Sequence, residues 1–267
     1  MIEAIEGPVA GITLSREGLR VLKRLARSMK GLEVYVHDGV PENIPEARRF
    51  DRVSAITEAV FYRYRGLIYV MPAGIVVRAV GRLAENKHTD PAVVVMDVYA
   101  RWAVSLLSGH EGGANRLAEQ AAWIMDAEPV VTTTSEAVRT VIAGIGCRKG
   151  ASADDIIRAL GAALSEAGLG FDDVRLLASA DIKQMETGLQ EAAKRLNIGL
   201  RFISSDTIRS SFREFDRSKF VMSKVNLPAV AEPSALLAGS RTCLILKKRV
   251  YNQVTVALAR ERCLWWE

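Results

Sequence analysis

The stretch Gly66-Leu67-Ile68-Tyr69-Val70-Met71-Pro72-Ala73-Gly74-Ile75-Val76-Val77-Arg78 decides the fold. Its first half, to Met71, is a near-continuous apolar run. A strand with one wet face alternates polar and apolar residues, whereas an unbroken run belongs to a strand covered on both faces. From Ala73 to Glu85 the chain turns helical in length and is apolar on most sides, which predicts a well-buried helix. A buried strand leading straight into a helix is the repeating unit of α/β proteins.

The same alternation continues in both directions. Upstream, Val9 to Leu14 reads as a strand, and Arg16 to Lys30 as a helix. Leu22, Leu25, Ala26 and Met29 form one stripe of that helix, and Arg16, Arg20, Lys23, Arg27 and Lys30 the opposite one. Gly31 ends it, and Glu33 to Val36 is a second strand. Residues 37 to 50, with Gly39, Pro41 and Pro45, read as a loop, and Ser54 to Tyr62 as a short helix. Downstream, Ala92 to Met96 and Ala103 to Leu107 read as a hairpin turning through Asp97 to Ala100. A helix from Gly113 to Met125 and a strand from Pro129 to Thr132 follow.

The polar seam Thr132-Thr133-Thr134-Ser135-Glu136 is the best linker. The pattern then restarts with a strand from Val138 to Ile145, a glycine-rich turn from Gly144 to Gly150, and a helix capped by Ser152. Strands at Val174 to Ala178 and Leu200 to Ser204 flank a helix from Glu186 to Leu196. A mixed segment, 206 to 240, and strands at Thr242 to Leu246 and Gln253 to Ala259 complete the pattern. The expected architecture is two α/β domains, residues 1–135 and 136–267, each a mixed sheet flanked by helices.

The 267 residues are 49% hydrophobic and 25% charged, close to globular averages, which excludes a disordered chain. Aromatics are only 6%, so Val, Ile, Leu and Ala must build the core. The net charge of +5 suits a polyanionic partner without choosing one. Cys147, Cys243 and Cys263 are too few for a disulfide framework, and with His37, His88 and His110 they show no metal-ligand spacing. The expected setting is reduced and cytoplasmic. Met1 to Glu6 lacks the features of a signal peptide, and no apolar stretch reaches the roughly 20 residues of a membrane span.

Five segments could carry chemistry. Ser108-Gly109-His110-Glu111-Gly112-Gly113-Ala114-Asn115 lies at a strand-to-helix junction. Its glycines let the backbone approach a ligand, and the helix N-terminus favours an anion. His110 and Glu111 add a titratable pair. The spacing fits neither a dinucleotide fingerprint nor a P-loop. Gly74, at the second junction, precedes Arg78 and Arg82, which suit an acidic ligand or internal carboxylates. Lys87, His88 and Asp90 crowd the loop before a buried strand, where Asp90-Pro91 is also a plain turn signal. Gly144 to Gly150, with Arg148 and Lys149, reads as an anion cradle. Lys183, after the Val174 strand, could meet a ligand carboxylate or the acids of its own helix, Glu186 among them. The dispersed basic residues are not interleaved with aromatics, so nucleic acid is not expected.

Read together, these segments resemble one family. Pro72 to Arg78, Lys87 to Val95 and Leu107 to Asn115 resemble the N-terminal domain of the cobalamin-biosynthesis protein CbiG. Gly144 to Gly150, Ala178 to Lys183 and Val254 to Ala257 resemble its C-terminal domain. Members often carry a middle segment, whereas here Thr132 to Glu136 leads almost directly to Val138. The resemblance implies cobalt-precorrin-5A hydrolase activity in the anaerobic corrin pathway: a δ-lactone opens and a bridging carbon leaves as acetaldehyde.

It implies His110 as general base, Glu111 orienting it, and the N–H groups of Gly112 and Gly113 stabilising the oxyanion. Gly74, Arg78, Lys87, Ser108, Gly109, Asn115, Gly146, Arg148, Lys149 and Lys183 would bind the polycarboxylate substrate. No resident metal or other cofactor is expected, because cobalt arrives within the substrate. The implied partners are a cobalt-tetrapyrrole intermediate, other corrin-pathway enzymes and a second copy of the chain, with no nucleic acid and no membrane. The competing reading is a non-catalytic binding or delivery protein for corrinoid intermediates.

Overall fold

The structure, a computed structural model, describes residues 5, 7–42, 45–216, 227–239 and 241–262. Cys263, most of Met1 to Glu6 and part of the mixed segment lie outside the described residues. The chain divides between Thr133 and Thr134 into two compact units.

The first unit runs β1 (Val9–Thr13), α1 (Arg16–Ser28), β2 (Leu32–His37), β3 (Ala47–Phe50), α2 (Val53–Val60), β4 (Gly66–Val70), α3 (Ala73–Val80), β5 (Ala92–Met96), β6 (Trp102–Leu107), α4 (Ala114–Met125) and β7 (Glu128–Val130). Its seven strands order as β3-β2-β1-β4-β5-β6-β7. All neighbours are parallel except β5 and β6, which pair as the expected hairpin. The unbroken apolar strands β1, β4 and β5 are buried at every position, as coverage on both faces requires.

Helix α1 buries Leu22 and Leu25 against the sheet and leaves its basic stripe outside. Each leucine so buried contributes about 1.5–3 kcal/mol. Ser15 caps the helix by accepting from the Gly18 N–H.

Two expectations need correction here. Residues 37–50 are not all loop, because β3 pairs with β2 at the sheet edge. An edge strand needs one partner only, so exposed Arg48 and Arg49 do not forbid it. Helix α3 ends at Val80 and buries only Val76 and Val80, while Val77 is 50% exposed. Its apolar composition exceeds the surface that its neighbours cover.

The second unit runs α5 (Thr134–Ala137), β8 (Val141–Cys147), α6 (Ala153–Glu166), β9 (Val174–Ala180), α7 (Thr187–Leu196), β10 (Gly199–Ile203), α8 (Ser205–Ser210), α9 (Ala231–Leu237), β11 (Thr242–Tyr251) and β12 (Val254–Glu261). The five strands order as β10-β9-β8-β12-β11, with β8, β9 and β10 parallel and β12 antiparallel to both its neighbours. The seam expected as a linker contains the start of α5. Strand β8 begins at Val141, and Val138 is exposed. Strand β11 continues past Leu246 to Tyr251 because, at an edge, charged Lys247, Lys248 and Arg249 can stay wet. Thus α/β architecture with two mixed sheets flanked by helices is what the chain adopts. No helix among the described residues is long and apolar enough to cross a membrane.

Candidate functional site

In the first unit the glycine loop follows β6, and the direction of β6 decides where the loop lies. Because β6 runs against β5, Leu107 pairs with Val93 at the start of β5. The loop from Ser108 to Gly113 therefore sits at the edge where β4 and β5 begin, together with the Lys87–Asp90 segment that leads into β5. Gly74 and Arg78 follow the other end of β4. The two groups stand at opposite edges of the sheet, separated by a five-residue strand length of roughly 13–17 Å. Gly74 and Arg78, expected to bind a substrate carboxylate, therefore stand apart from His110 and Glu111. At their own edge these two do meet: the Arg78 guanidinium folds back to within 3.7 Å of where a Cβ on Gly74 would stand.

The loop is built on close approaches. Ser108 takes a left-handed backbone, φ 58°. A Cβ on Gly112 would overlap Ser108 and lie 3.3 Å from the Asp90 carbonyl oxygen, so only glycine fits. Gly113 (φ 90°) turns the chain into α4. The Asn115 N–H bonds the Gly109 carbonyl at 2.9 Å, and the Ala114 N–H bonds that of Ser108 at 3.1 Å. The Asn115 side chain is buried and bridges Ser105 Oγ (2.8 Å) and Thr133 Oγ1 (2.9 Å). Asn115 thus braces the loop from within rather than facing a ligand. The Thr133 hydroxyl was not legible as part of this brace, since nothing in its local sequence pairs it with residue 115.

The Glu111 carboxylate, expected to orient His110, takes a lysine partner. Lys87 Nζ donates to Glu111 Oε1 at 2.5 Å. That bond is the main cause holding the Glu111 carboxyl below its ordinary range. His110 is exposed at the tip of the loop.

In the second unit β8 and β9 are parallel, so Arg148, Lys149 and Lys183 lie together at their C-terminal ends. The expected cradle is narrower than Gly144 to Gly150. Gly144 and Gly146 are strand residues, because β8 runs through Cys147. Gly146 has Val230 and Thr255 about it, at 3.6 and 3.7 Å from a would-be Cβ. The turn proper is Arg148, Lys149 and Gly150 (φ 78°), leading to the Ser152 cap of α6. Glu186 closes it. Its Oε2 accepts from the Gly150 N–H at 2.9 Å, and its Oε1 from Lys183 Nζ at 3.3 Å. Of the two readings left open for Lys183, the structure shows pairing with its own segment's acid, while Arg148 and Lys149 stay exposed.

Cys147 lies beside this turn. Burial pushes its thiol pKa up, nearby Lys183 pulls it down, and Glu186 opposes Lys183. At pH 8 its thiolate fraction is therefore below that of a free cysteine. Iodoacetamide should label Cys147 more slowly than a free cysteine, and more slowly still in Lys183→Met, as read by peptide mass spectrometry. Faster labelling in Lys183→Met would contradict this. Among the described residues no three His, Cys, Asp or Glu side chains gather as a metal site.

The fold and these loops define a two-unit α/β protein carrying basic, glycine-containing strand-to-helix turns. Residues 55–136 match the family model for the cobalamin synthesis G N-terminal region, and residues 141–259 that for its C-terminus. The chain belongs to this CbiG family of cobalamin-synthesis proteins. It is 32% identical over 139 residues to a cobalt-precorrin-5A hydrolase of Priestia megaterium, covering 51% of the chain and 37% of that protein. It is 38% identical over 131 residues to the Salmonella typhimurium protein of the same name, covering 48% and 36%. Protein CobE of a Sinorhizobium species is 31% identical over 128 residues, covering 47% of the chain and 83% of CobE. The chain spans little more than a third of the length of the two hydrolases in these matches.

Proposed function

We propose that the chain is a cobalt-precorrin-5A hydrolase, opening the δ-lactone of the cobalt-bearing macrocycle and releasing acetaldehyde to give cobalt-precorrin-5B. The observation that carries this reading is the convergence of His110, Lys87 and the N-terminus of α4 at one sheet edge. The names of the relatives support it. Lactone opening needs an activated water and donors for the developing oxyanion. In this reading His110 takes a proton from water, the hydroxide adds to the lactone carbonyl, and the ring C–O bond breaks to leave a carboxylic acid and an alkoxide. The alkoxide carbon leaves as acetaldehyde when its carbon–carbon bond to the macrocycle breaks, and the electron pair left on the macrocycle takes the proton that His110 holds. The N–H groups of Gly112 and Gly113, at the positive end of α4, meet the oxyanion. Lys87 receives a substrate carboxylate. The second unit, taken by itself, offers the exposed Arg148 and Lys149 to carboxylates, with Lys183 held nearby by Glu186. Gly74 and Arg78, at the far edge, take no part in the chemical step. Cobalt is part of the substrate.

The test is incubation of the whole chain with cobalt-precorrin-5A and an assay for acetaldehyde. Release over many turnovers is expected. Stoichiometric binding of the macrocycle with no acetaldehyde would overturn the reading in favour of a binding or delivery protein.

A further inference from the structure

Asp90 is the least expected buried group in the first unit. It is 2% exposed, yet no cation pairs with it in the contacts that hold it. A carboxylate removed from water is costly unless its oxygens are bonded. One oxygen is well used: Oδ2 accepts from the Glu85 N–H at 3.0 Å and the Asn86 N–H at 3.1 Å. The other, Oδ1, is buried with no hydrogen-bond partner. Such an orphan in a folded protein calls for a reason.

The surroundings supply one. The Asp90 N–H returns to the Asn86 carbonyl at 2.8 Å, and Asn86 Oδ1 accepts from the His88 N–H at 3.0 Å. The turn from Glu85 to Asp90 is thus closed on the Asp90 carboxylate, and Lys87 stands at its tip. The Asp90 main chain in turn lies against Gly112. Beside it, Ser108 Oγ is also buried without a partner. The Asp90 carboxylate thus fixes the turn that carries Lys87, while the Asp90 carbonyl lies against the loop that carries Glu111.

We infer that Asp90 is a positioning residue of this site, which sets the Lys87 ammonium against Glu111 and so prepares it to receive a substrate carboxylate. The Lys87–Glu111 pair is the feature through which it acts. Both partners are partly exposed, at 64% and 31% of their side chains, so a carboxylate from solution can displace Glu111. The kinetic consequence rests on the hydrolase reading, but the geometric one does not.

The test follows the Glu111 carboxyl by NMR titration in the whole chain. The charged groups acting on Glu111 are Lys87 and His88. Removing the ammonium, in Lys87→Met, moves the Glu111 titration up towards its ordinary range. Asp90→Ala is expected to move it up equally, and the double variant no further. Asp90→Asn keeps an acceptor for the two N–H groups and is expected to leave it in place. Should Asp90→Ala not fold, Asp90→Ser, which bonds only one N–H, is expected to show the same upward shift. A lowered unfolding midpoint with an unmoved Glu111 titration would overturn the inference.

With cobalt-precorrin-5A, Asp90→Ala should raise KM about tenfold, as for a lost charge-assisted hydrogen bond, with kcat little changed. If the unaltered chain releases no acetaldehyde, the hydrolase reading fails while the titration still decides the role of Asp90.

Discussion

His110→Ala should lower acetaldehyde release from cobalt-precorrin-5A by about 10²–10⁴-fold, the usual contribution of a positioned general base. The structure gives two reasons for so large a loss. The neighbouring carboxylate is a poor substitute, because a pKa held below its ordinary range makes Glu111 a weaker base. The truncation also leaves the contacts that Gly109, Gly112 and Asn115 make in the loop in place. The unfolding midpoint should therefore change by no more than an ordinary surface substitution, within about 0.5 kcal/mol. Release within twofold of the unaltered chain would place the base elsewhere.

Gly144→Ala should destabilise the second unit by about 3 kcal/mol or more, at the upper end of what overpacking costs. A Cβ there would run into the Ala231 carbonyl oxygen and lie 2.8 Å from the Ala235 nitrogen and 2.9 Å from the Ala231 carbonyl carbon. These are backbone atoms of α9, which cannot swing aside as a side chain does. Residues Ala231 to Leu236 are all buried, so the helix would have to move as a body. Gly146→Ala is the control on the same strand: its nearest neighbour is a side-chain carbon at 3.6 Å, an ordinary contact. Urea unfolding should show a much lower midpoint for Gly144→Ala than for Gly146→Ala. Equal midpoints would contradict the close approach.

The difference between these two glycines shows where sequence reasoning stops. Gly144 and Gly146 look alike in the sequence, which places both in one anion-binding turn. The strand in fact continues to Cys147, because β12 pairs with β8 along its full length, from Val141 to Cys147. Likewise the apolar run from Ala73 predicts a buried helix. Burial depends on what packs against it, and α3 has too few neighbours to cover Val77. The apolar pattern does not mark edge strand β3 and ends β11 early for the converse reason. Their charged residues break the apolar pattern that marks a covered strand, yet an edge needs no such pattern.

By itself the sequence determined the α/β class, the central strands β1, β4 and β5, the Ser152 cap, and the loops that carry His110, Lys87 and Arg148. These follow from local quantities: hydrophobic period, cap chemistry and the backbone freedom of glycine. Only the tertiary structure decided which loops share an edge. The reversal of β6 against β5 carries the His110 loop away from Gly74 and Arg78 and brings it to Lys87 and Asp90. Strand direction is fixed by hydrogen-bond ladders between residues distant in the chain, and so are the partners of Glu111 and Glu186. No local pattern encodes those meetings, because they depend on which strand each one lies beside.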